Sequence, residues 1–257
     1  MLLVADAGNT ETTLALFDGV RMVQRWRTST SSIRTADEYA ATLASLCALH
    51  GVDRAQVRAA AIGSVVPAAT PVIVHAMSVT FDVAPLVIDA RSALGLDVRV
   101  HEPYAVGVDR LLNTFAVHTL HGRDAIVADL GTATTFDCVT ADGVFLGGII
   151  APGVRTSLEA LVGRTSQLAA TALDPPARAM GLDTAHAIRA GVLFGAADAF
   201  EGAVRRLRAE WPTPATPMIV ATGGLAGTLA PLCPSVELVA PDLTLDALRL
   251  AHEHLSA

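Results

Sequence analysis

Two copies of an acidic, glycine-containing turn limit the folds that are open to this chain. The first copy, Val4–Thr12, reads VADAGNTET, and the second, Val127–Thr135, reads VADLGTATT and begins 123 residues later. Each is followed by a second turn, Asp18-Gly19 or Asp142-Gly143, which is a strong hairpin signal. A repeat at about half of the 257-residue length indicates a duplicated unit rather than a short-period solenoid.

The apolar patterns around these turns predict an α/β protein. In the first half they predict the order βββαβαβ, with strands over 2–6, 13–17, 21–27, 58–63 and 85–89 and helices over 36–50 and 71–77. In the second half we expect strands over 144–146, 218–222 and 236–239, and helices over 156–162, 166–172, 184–208 and from 245. The chain therefore reads as two βββαβα halves, residues 1–118 and 119–257.

The absence of lysine excludes several catalytic and phosphate-binding mechanisms. All 18 basic residues are arginine, since the sequence contains no lysine. The Walker A loop, the protein-kinase nucleotide strand and Schiff-base chemistry each need a lysine. If this protein handles phosphate, it does so with backbone N–H groups, arginine and metal ions.

The net charge and the cysteines indicate which binding partners are disfavoured and in which cellular compartment the protein is expected. A net charge of −7 disfavours nucleic acid and anionic membranes, and no apolar run approaches the roughly 18 residues of a membrane span. Three cysteines without CxxC spacing and an N-terminus without a basic leader predict a cytoplasmic protein.

The two turns carry the residue types that a phosphate site needs. Gly8 and Gly131 allow the backbone to approach an anion closely, and nearby threonines supply neutral donors. Asp6 precedes the first turn and offers a carboxylate to a metal ion or its water. The alternative is that these are ordinary hairpin turns in which Asp and Asn play turn roles. The duplication favours the phosphate site.

A second candidate site lies in the segment Glu102–Arg110, which opens a helix. Asp109 falls in the first turn, where the helix dipole favours its ionised form and makes it available as a proton acceptor. Arg110 beside it offers a forked donor set for a carboxylate or phosphate. The alternative is an acidic residue that only stabilises the helix terminus, beside a solvent-exposed arginine.

Other motifs carry weaker signals. His252 and His254 are two positions apart on a helix, so their imidazoles diverge and cannot share one zinc ion. Gly63–Pro67 lacks the flanking glycine of a nucleophile elbow. Gly147–Gly153 and Thr222–Gly227 are glycine-dense turns after strands, where a ring or phosphate could lie against the backbone.

In this order the motifs resemble those of the type III pantothenate kinases, members of the acetate and sugar kinase/Hsp70/actin superfamily. The resemblance covers nearly the whole chain. It rests on DAGNT at Asp6–Thr10, SVVP at Ser64–Pro67, EPYAVGVDR at Glu102–Arg110, DLGTATTFD at Asp129–Asp137, GGIIAPG at Gly147–Gly153, TGG at Thr222–Gly224 and the late PDLTLDAL.

The resemblance implies two ribonuclease H-like halves with a central cleft, and ATP-dependent phosphorylation of pantothenate by a homodimer with Mg²⁺ and K⁺ or NH₄⁺. Asp109 would be the catalytic base, and Asp129, with Asp6, would hold metal. Pantothenate would be contacted by Tyr104, Gly107, Val108, Asp109 and Arg110, and by Thr184, which could come from the neighbouring subunit. The ATP site would comprise Asp6, Ala7, Gly8, Asn9, Thr10, Glu11, Thr12, Thr13 and Thr132.

Two departures from the family pattern bear on this reading. Glu11 adds a negative charge beside the first turn, and Asp183 stands where asparagine commonly precedes the substrate threonine. Two alternatives remain open: a sibling kinase with another small alcohol acceptor, and a non-catalytic regulatory protein similar to the Bvg accessory factor.

Overall fold

The computed structural model describes residues 1–164 and 171–257, so part of the helix expected over 166–172 lies outside the described residues. The strands are β1 Leu2–Ala7, β2 Glu11–Asp18, β3 Arg21–Ser29, β4 Ala59–Ser64, β5 Leu86–Ile88, β6 Asp97–Val98, β7 Ala125–Leu130, β8 Ala133–Val139, β9 Val144–Pro152, β10 Met218–Thr222 and β11 Leu238–Val239. The helices are α1 Ala36–Leu49, α2 Thr70–Phe81, α3 Val108–His121, α4 Val154–Gly163, α5 Thr184–Ala209, α6 Ala226–Leu229 and α7 Leu243–Leu255.

The first compact unit comprises residues 1–96, 101–116 and 244–257. Its sheet has the order β3-β2-β1-β4-β5, in which β1, β2 and β3 are antiparallel and β4 and β5 run parallel to β1. Leu3, Ala5 and Ala7 point into the apolar core formed with α1 and α2. Because side chains alternate along a strand, Asp6 lies on the opposite face. Leu112 of α3 and Leu248 of α7 also pack on that face, against Gly63.

The second unit comprises residues 97–100 and 117–243. Its sheet has the order β11-β10-β7-β8-β9-β6, and β6 is a short edge strand that the sequence patterns did not predict. Helix α5 packs on this sheet through apolar side chains. The rings of Phe136 on β8 and Phe200 on α5 meet edge to face, with centroids 5.1 Å apart.

The two sheets confirm the duplicated α/β architecture. Each sheet contains three consecutive antiparallel strands, a β-meander, followed by parallel strands. Listed from the last strand of the meander, the first sheet is β3-β2-β1-β4-β5 and the second is β9-β8-β7-β10-β11. In each sheet a parallel strand lies beside the first strand of the meander. The division at residues 118 and 119 stays a prediction, and the C-terminal helix packs with the unit that contains β1–β5.

One sequence expectation about a loop is wrong. Gly147–Gly153 was expected to be a glycine-dense loop, but β9 runs through to Pro152. Gly147 has a φ of 104° and lies beside the register irregularity at Cys138/Val139. A Cβ on Gly148 would lie only 1.7 Å from the carbonyl oxygen of Phe136. These glycines are therefore required by strand pairing.

Candidate active site

The first turn connects β1 to β2 through Gly8, Asn9 and Thr10. The Gly8 N–H donates to the carbonyl oxygen of Glu11 (3.1 Å), which closes the turn, and Asn9 and Thr10 are exposed. The Thr12 hydroxyl is buried and lies 2.7 Å from that of Thr30. The tip of the turn is therefore exposed to solvent, while the hydroxyl contact of Thr12 connects β2 to the end of β3.

Glu11 is directed along the sheet toward β3. One of its carboxylate oxygens lies 3.8 Å from a guanidinium nitrogen of Arg27, and both side chains are well exposed. An ion pair of this kind is weak in water. It nevertheless gives the extra charge beside the turn a partner on β3.

The candidate base, Asp109, lies in the first turn of α3. The Arg110 N–H donates to Asp109 Oδ1 (2.8 Å), as expected for a carboxylate at a helix N-terminus. Burial is the largest effect on this group and raises its pKa, and the hydrogen bond and charge of Arg110 oppose that rise only in part. The position of Asp109 at the helix terminus, taken alone, predicts an easily ionised group.

The end of β4 joins the first turn to the Asp109 region. Asp6 pairs with Gly63 in the sheet, and the Val65 N–H donates to the Ala7 carbonyl oxygen (3.1 Å). The side chain of Val65 also lies close to Gly107. A Cβ added to Gly107 would lie 3.7 Å from the Val65 side chain and 2.5 Å from Asp109 Oδ1. The expected ATP turn and the expected base therefore lie at the same end of one sheet.

The remaining expected pantothenate contacts surround the start of α3. Tyr104 is 63% exposed, and the Arg91 guanidinium stacks 4.5 Å from the centre of its ring. Gly107 accepts from the Arg110 N–H (3.1 Å) and thereby begins the helix. Asn113, one turn after Asp109, is buried and accepts from the Thr244 hydroxyl (2.8 Å), which anchors α3 to α7.

The second turn connects β7 to β8 and is one residue shorter than the first. Asp129 pairs with Thr135, six positions on, whereas Asp6 pairs with Thr13, seven positions on. The Gly131 N–H donates to the Ala133 carbonyl oxygen (3.0 Å). The two copies therefore correspond up to the glycine, and after it the equivalence shifts by one residue.

The Thr222-Gly223-Gly224 turn lies against Asp129. Thr222 pairs with Asp129, and Gly223 has a φ of 88°, a region that favours glycine. A Cβ on Gly223 would lie 2.3 Å from Asp129 Oδ1 and 2.7 Å from the Leu130 nitrogen. Glycine here lets the backbone close on the carboxylate that is expected to hold a cation.

Thr184 is the first residue of α5 and lies at a groove within the second unit. Asp183 caps this helix, since its Oδ1 accepts from the His186 N–H (2.7 Å), so its charge is directed at the helix amides. The groove has a volume of about 790 Å³ in the described part of the chain, and its lining is mainly apolar. Along α5 the lining consists largely of small residues four apart: Ala187, Gly191, Gly195, Ala199 and Ala203.

The oxygen donors at the two turns fit hard cations. Among the described residues, no three His, Cys, Asp or Glu side chains are grouped to hold a metal ion by themselves. Mg²⁺ in nucleotide sites is commonly bound by one or two carboxylates together with substrate phosphates and water. Asp6 and Asp129, each beside an open turn, are carboxylates of this kind.

The sequence reasoning missed several residues that hold these turns in place. Gly223 and Val65 belong to motifs that it quoted, but their contacts depend on strand pairing between distant segments. Thr244 likewise belongs to a quoted motif, PDLTLDAL, whereas Arg91 gave no local signal. Among the residues that the structure describes, none of the helices has the length and apolar character needed to span a bilayer.

Comparison with known sequences gives one family. The profile of type III pantothenate kinases matches residues 2–206. The chain is 44% identical over 250 residues to the type III pantothenate kinase of Gluconobacter oxydans, with 97% of this chain and 92% of that protein covered. It is 38% identical over 253 residues to the one from Moorella thermoacetica, with 98% and 99% covered.

Comparison with solved structures supports the fold. A Campylobacter jejuni protein described as a Baf family transcriptional activator superposes with a TM-score of 0.62 at 16% identity, covering 98% of both chains. Component A of (R)-2-hydroxyglutaryl-CoA dehydratase from Acidaminococcus fermentans gives 0.55 at 12% identity, covering 99% of this chain and 96% of that one. At these identities the likeness concerns the fold alone.

Proposed function

Because the chain belongs to the type III pantothenate kinase family, we propose that it transfers the γ-phosphoryl group of ATP to the terminal hydroxyl of pantothenate. The product is 4′-phosphopantothenate, and the reaction is the first step of coenzyme A synthesis. The observation that carries the proposal is the placement of a half-buried carboxylate, Asp109, at the same end of the sheet as the glycine turn after Asp6. Family membership over nearly the full length supports pantothenate as the acceptor.

Asp109 acts as the base that accepts the proton of the attacking hydroxyl. Phosphoryl transfer passes through a loose transition state, so the proton can leave late and a carboxylate is basic enough. Burial raises the pKa of Asp109, which makes the ionised form a better proton acceptor than an exposed aspartate. The Arg110 N–H holds Oδ1 of this carboxylate in place.

The two glycine turns bind the phosphates of ATP. Asp6–Thr13 supplies the first set of contacts and Thr132 belongs to the second, with backbone N–H groups as the principal donors. Bound Mg²⁺ and a monovalent cation, K⁺ or NH₄⁺, would neutralise the phosphate charge that a lysine neutralises in other kinases. Asp6 would hold the first of these ions or its water, and Asp129 the second.

Pantothenate lies beside the start of α3. Tyr104, Gly107, Val108 and Arg110 contact it, and Arg110 offers paired donors to its carboxylate or to the transferred phosphoryl group. Whether Arg110 binds the carboxylate or the phosphoryl group, the hydroxyl to be phosphorylated is held against Asp109. Thr184 adds a contact that a second subunit supplies.

The protein acts as a homodimer in which a second copy covers the groove along α5. The small residues four apart on this helix form a smooth stripe that allows another helix to approach closely. The exposed, mainly apolar lining supports a protein partner rather than water. Thr184 lies at this groove, which supports its role across subunits.

Changing the stripe tests the dimer. At Gly195 a new side chain would meet no atom of the described residues within 4 Å, so Gly195→Glu leaves the protomer intact. We expect it to halve the mass measured by sedimentation velocity and to lower activity. Gly202→Glu, on the same helix but outside the groove, is the control. A dimeric Gly195→Glu protein would place the interface elsewhere.

An acceptor screen tests the reaction. Purified protein is given ATP, Mg²⁺ and either pantothenate or a sugar, with and without K⁺ or NH₄⁺, and the products are identified by mass spectrometry. We expect phosphorylated pantothenate, formed faster with the monovalent cation. Phosphorylation of a sugar but not of pantothenate would assign the chain to a sibling kinase.

A further inference from the structure

A carbonyl oxygen of the second glycine turn, between β7 and β8, is hydrogen-bonded to the start of helix α4. Two donors converge on one acceptor, the carbonyl oxygen of Thr132. The Gly153 N–H donates to it at 3.1 Å, and the Thr156 hydroxyl donates to it at 2.7 Å. A single exposed residue of the turn is therefore held by the backbone and by a side chain of the same helix.

The contact between the turn and α4 is too close for any side chain at residue 153. A Cβ on Gly153 would lie 2.4 Å from the carbonyl oxygens of both Gly131 and Thr132. Real Cβ atoms do not approach backbone oxygens so closely. The glycine thus brings α4 within reach of the turn, and Thr156 is the side chain that uses this proximity.

Thr156 is engaged with the turn instead of with its own helix. It is the third residue of α4, a position whose side chain often bonds back to the start of the helix. No side chain caps α4 at Gly153, and the Thr156 hydroxyl instead donates 24 residues back along the chain. Loss of this hydroxyl therefore removes a contact to the turn without removing a helix cap.

Holding the Thr132 carbonyl also sets the direction of the neighbouring N–H. The peptide bond is planar and trans, so the N–H of Ala133 points away from the oxygen that α4 holds. Successive backbone N–H groups in turns of this kind form concave sites that bind phosphate. The orientation of that donor depends on where the Thr132 carbonyl is fixed.

We propose that Thr156 is a positioning residue for the ATP site, which orients the Gly131–Thr132 turn toward the nucleotide phosphates through its hydrogen bond to the Thr132 carbonyl. The proposal rests on the proposed function in taking this turn as part of the ATP site. Thr156 acts on the turn through its hydrogen bond to the Thr132 carbonyl. Its effect is therefore on nucleotide affinity and not on pantothenate affinity.

The test compares Thr156→Val, which keeps the shape but loses the hydroxyl, with Thr156→Ser, which keeps the hydroxyl. We expect Thr156→Val to raise the KM for ATP on the order of 10-fold, as for loss of one well-placed hydrogen bond, with the KM for pantothenate and the Tm unchanged. Thr156→Ser should restore most of the ATP affinity. Glu159→Gln, an exposed change on the same helix, is the control.

Titration calorimetry with a non-hydrolysable ATP analogue and Mg²⁺ separates this proposal from the proposed reaction. Weaker analogue binding by Thr156→Val, restored in Thr156→Ser, supports the positioning role even if the wild-type protein does not phosphorylate pantothenate. Equal analogue binding by the wild-type and Thr156→Val proteins would overturn it, as would an equal rise in both KM values.

Discussion

Asp124 provides a quantitative test of the second unit. This carboxylate is only 7% exposed and accepts three hydrogen bonds, each 2.7 Å long. The Ala141 N–H donates to Oδ1, and the Trp211 indole and the Thr213 hydroxyl donate to Oδ2. It thereby joins the start of β7, the turn after β8 and the segment after α5.

Asp124→Asn keeps the shape of the side chain but replaces one acceptor with an NH₂ group. In either orientation of the amide, an N–H donor then faces another N–H donor, from Ala141 or from Trp211. Loss of charge assistance costs about 1.5 kcal/mol and the unpaired donor about 1 kcal/mol, because Trp211 is only partly buried. We expect a total loss of about 2.5 kcal/mol, which lowers Tm by roughly 5–10 °C.

The pH dependence of this loss has a defined sign. Burial, the largest single effect, acts to raise the pKa of Asp124, but the three hydrogen bonds together lower it. A carboxylate with a lowered folded-state pKa contributes stability above its unfolded value, and that contribution is lost as the pH falls through the folded value. The difference in Tm between wild type and Asp124→Asn should therefore be constant near neutral pH and shrink below pH ~3.9.

Calorimetric melting of wild type, Asp124→Asn and a control provides the measurement. The control is Asp142→Asn, an exposed aspartate in the turn between β8 and β9. A Tm for Asp124→Asn within about 1 °C of the control would refute the assigned hydrogen bonds.

Four further measurements test the site and the core, two on variants and two on the wild-type protein. Burial raises the pKa of Asp109, so Asp109→Asn should stabilise the protein near pH 7. The gain in stability should vanish in acid, where Asp109 is protonated in both the folded and the unfolded wild-type protein. Urea unfolding at several pH values measures this difference. For the same reason wild-type kcat should fall on acidification at a higher pH than an exposed aspartate would give, as a pH–rate profile will show. A Cβ at Gly107 would lie 2.5 Å from Asp109 Oδ1, so Gly107→Ala should displace the carboxylate and lower kcat by up to about 100-fold while the far-UV spectrum is unchanged. Cys47 and Cys233 are buried, and burial together with nearby acidic groups raises the pKa of Cys233 to about 12, so neither should react with Ellman's reagent until the protein is unfolded. Fast labelling of the native protein would contradict this packing.

Local sequence signals predicted most of the regular elements. The helix expected over 184–208 is observed as Thr184–Ala209, because Asp183 supplies a side-chain cap at its start. The strand expected over 218–222 is observed with the same bounds. Both elements have boundaries set by their own residues.

Elements and properties that depend on distant partners were not predictable. Strand β6 has two residues and exists only because it pairs with β9. The continuation of β9 through Gly147 and Gly148 depends on the close approach of Phe136, which no local pattern reveals. The raised pKa of Asp109 likewise depends on burial by packing that the helix pattern does not describe.

For the candidate site, the residue types were predictable from the sequence, whereas their neighbours depend on the fold. The first turn and Asp109 are brought to one end of a sheet by Gly63 and Val65. Asp129 and Thr132 are placed together in the other unit, against Gly223 and Thr156. That both turns bind the same ATP stays a prediction, with the family resemblance as its support.

The most direct test of the central claim is the turnover of Asp109→Asn with ATP and pantothenate at saturating Mg²⁺ and K⁺. We expect wild type to form 4′-phosphopantothenate and kcat of Asp109→Asn to be at least about 100-fold lower, while binding of a non-hydrolysable ATP analogue is retained. Wild-type turnover by Asp109→Asn would contradict this mechanism, because the half-buried carboxylate would then have no part in the chemistry.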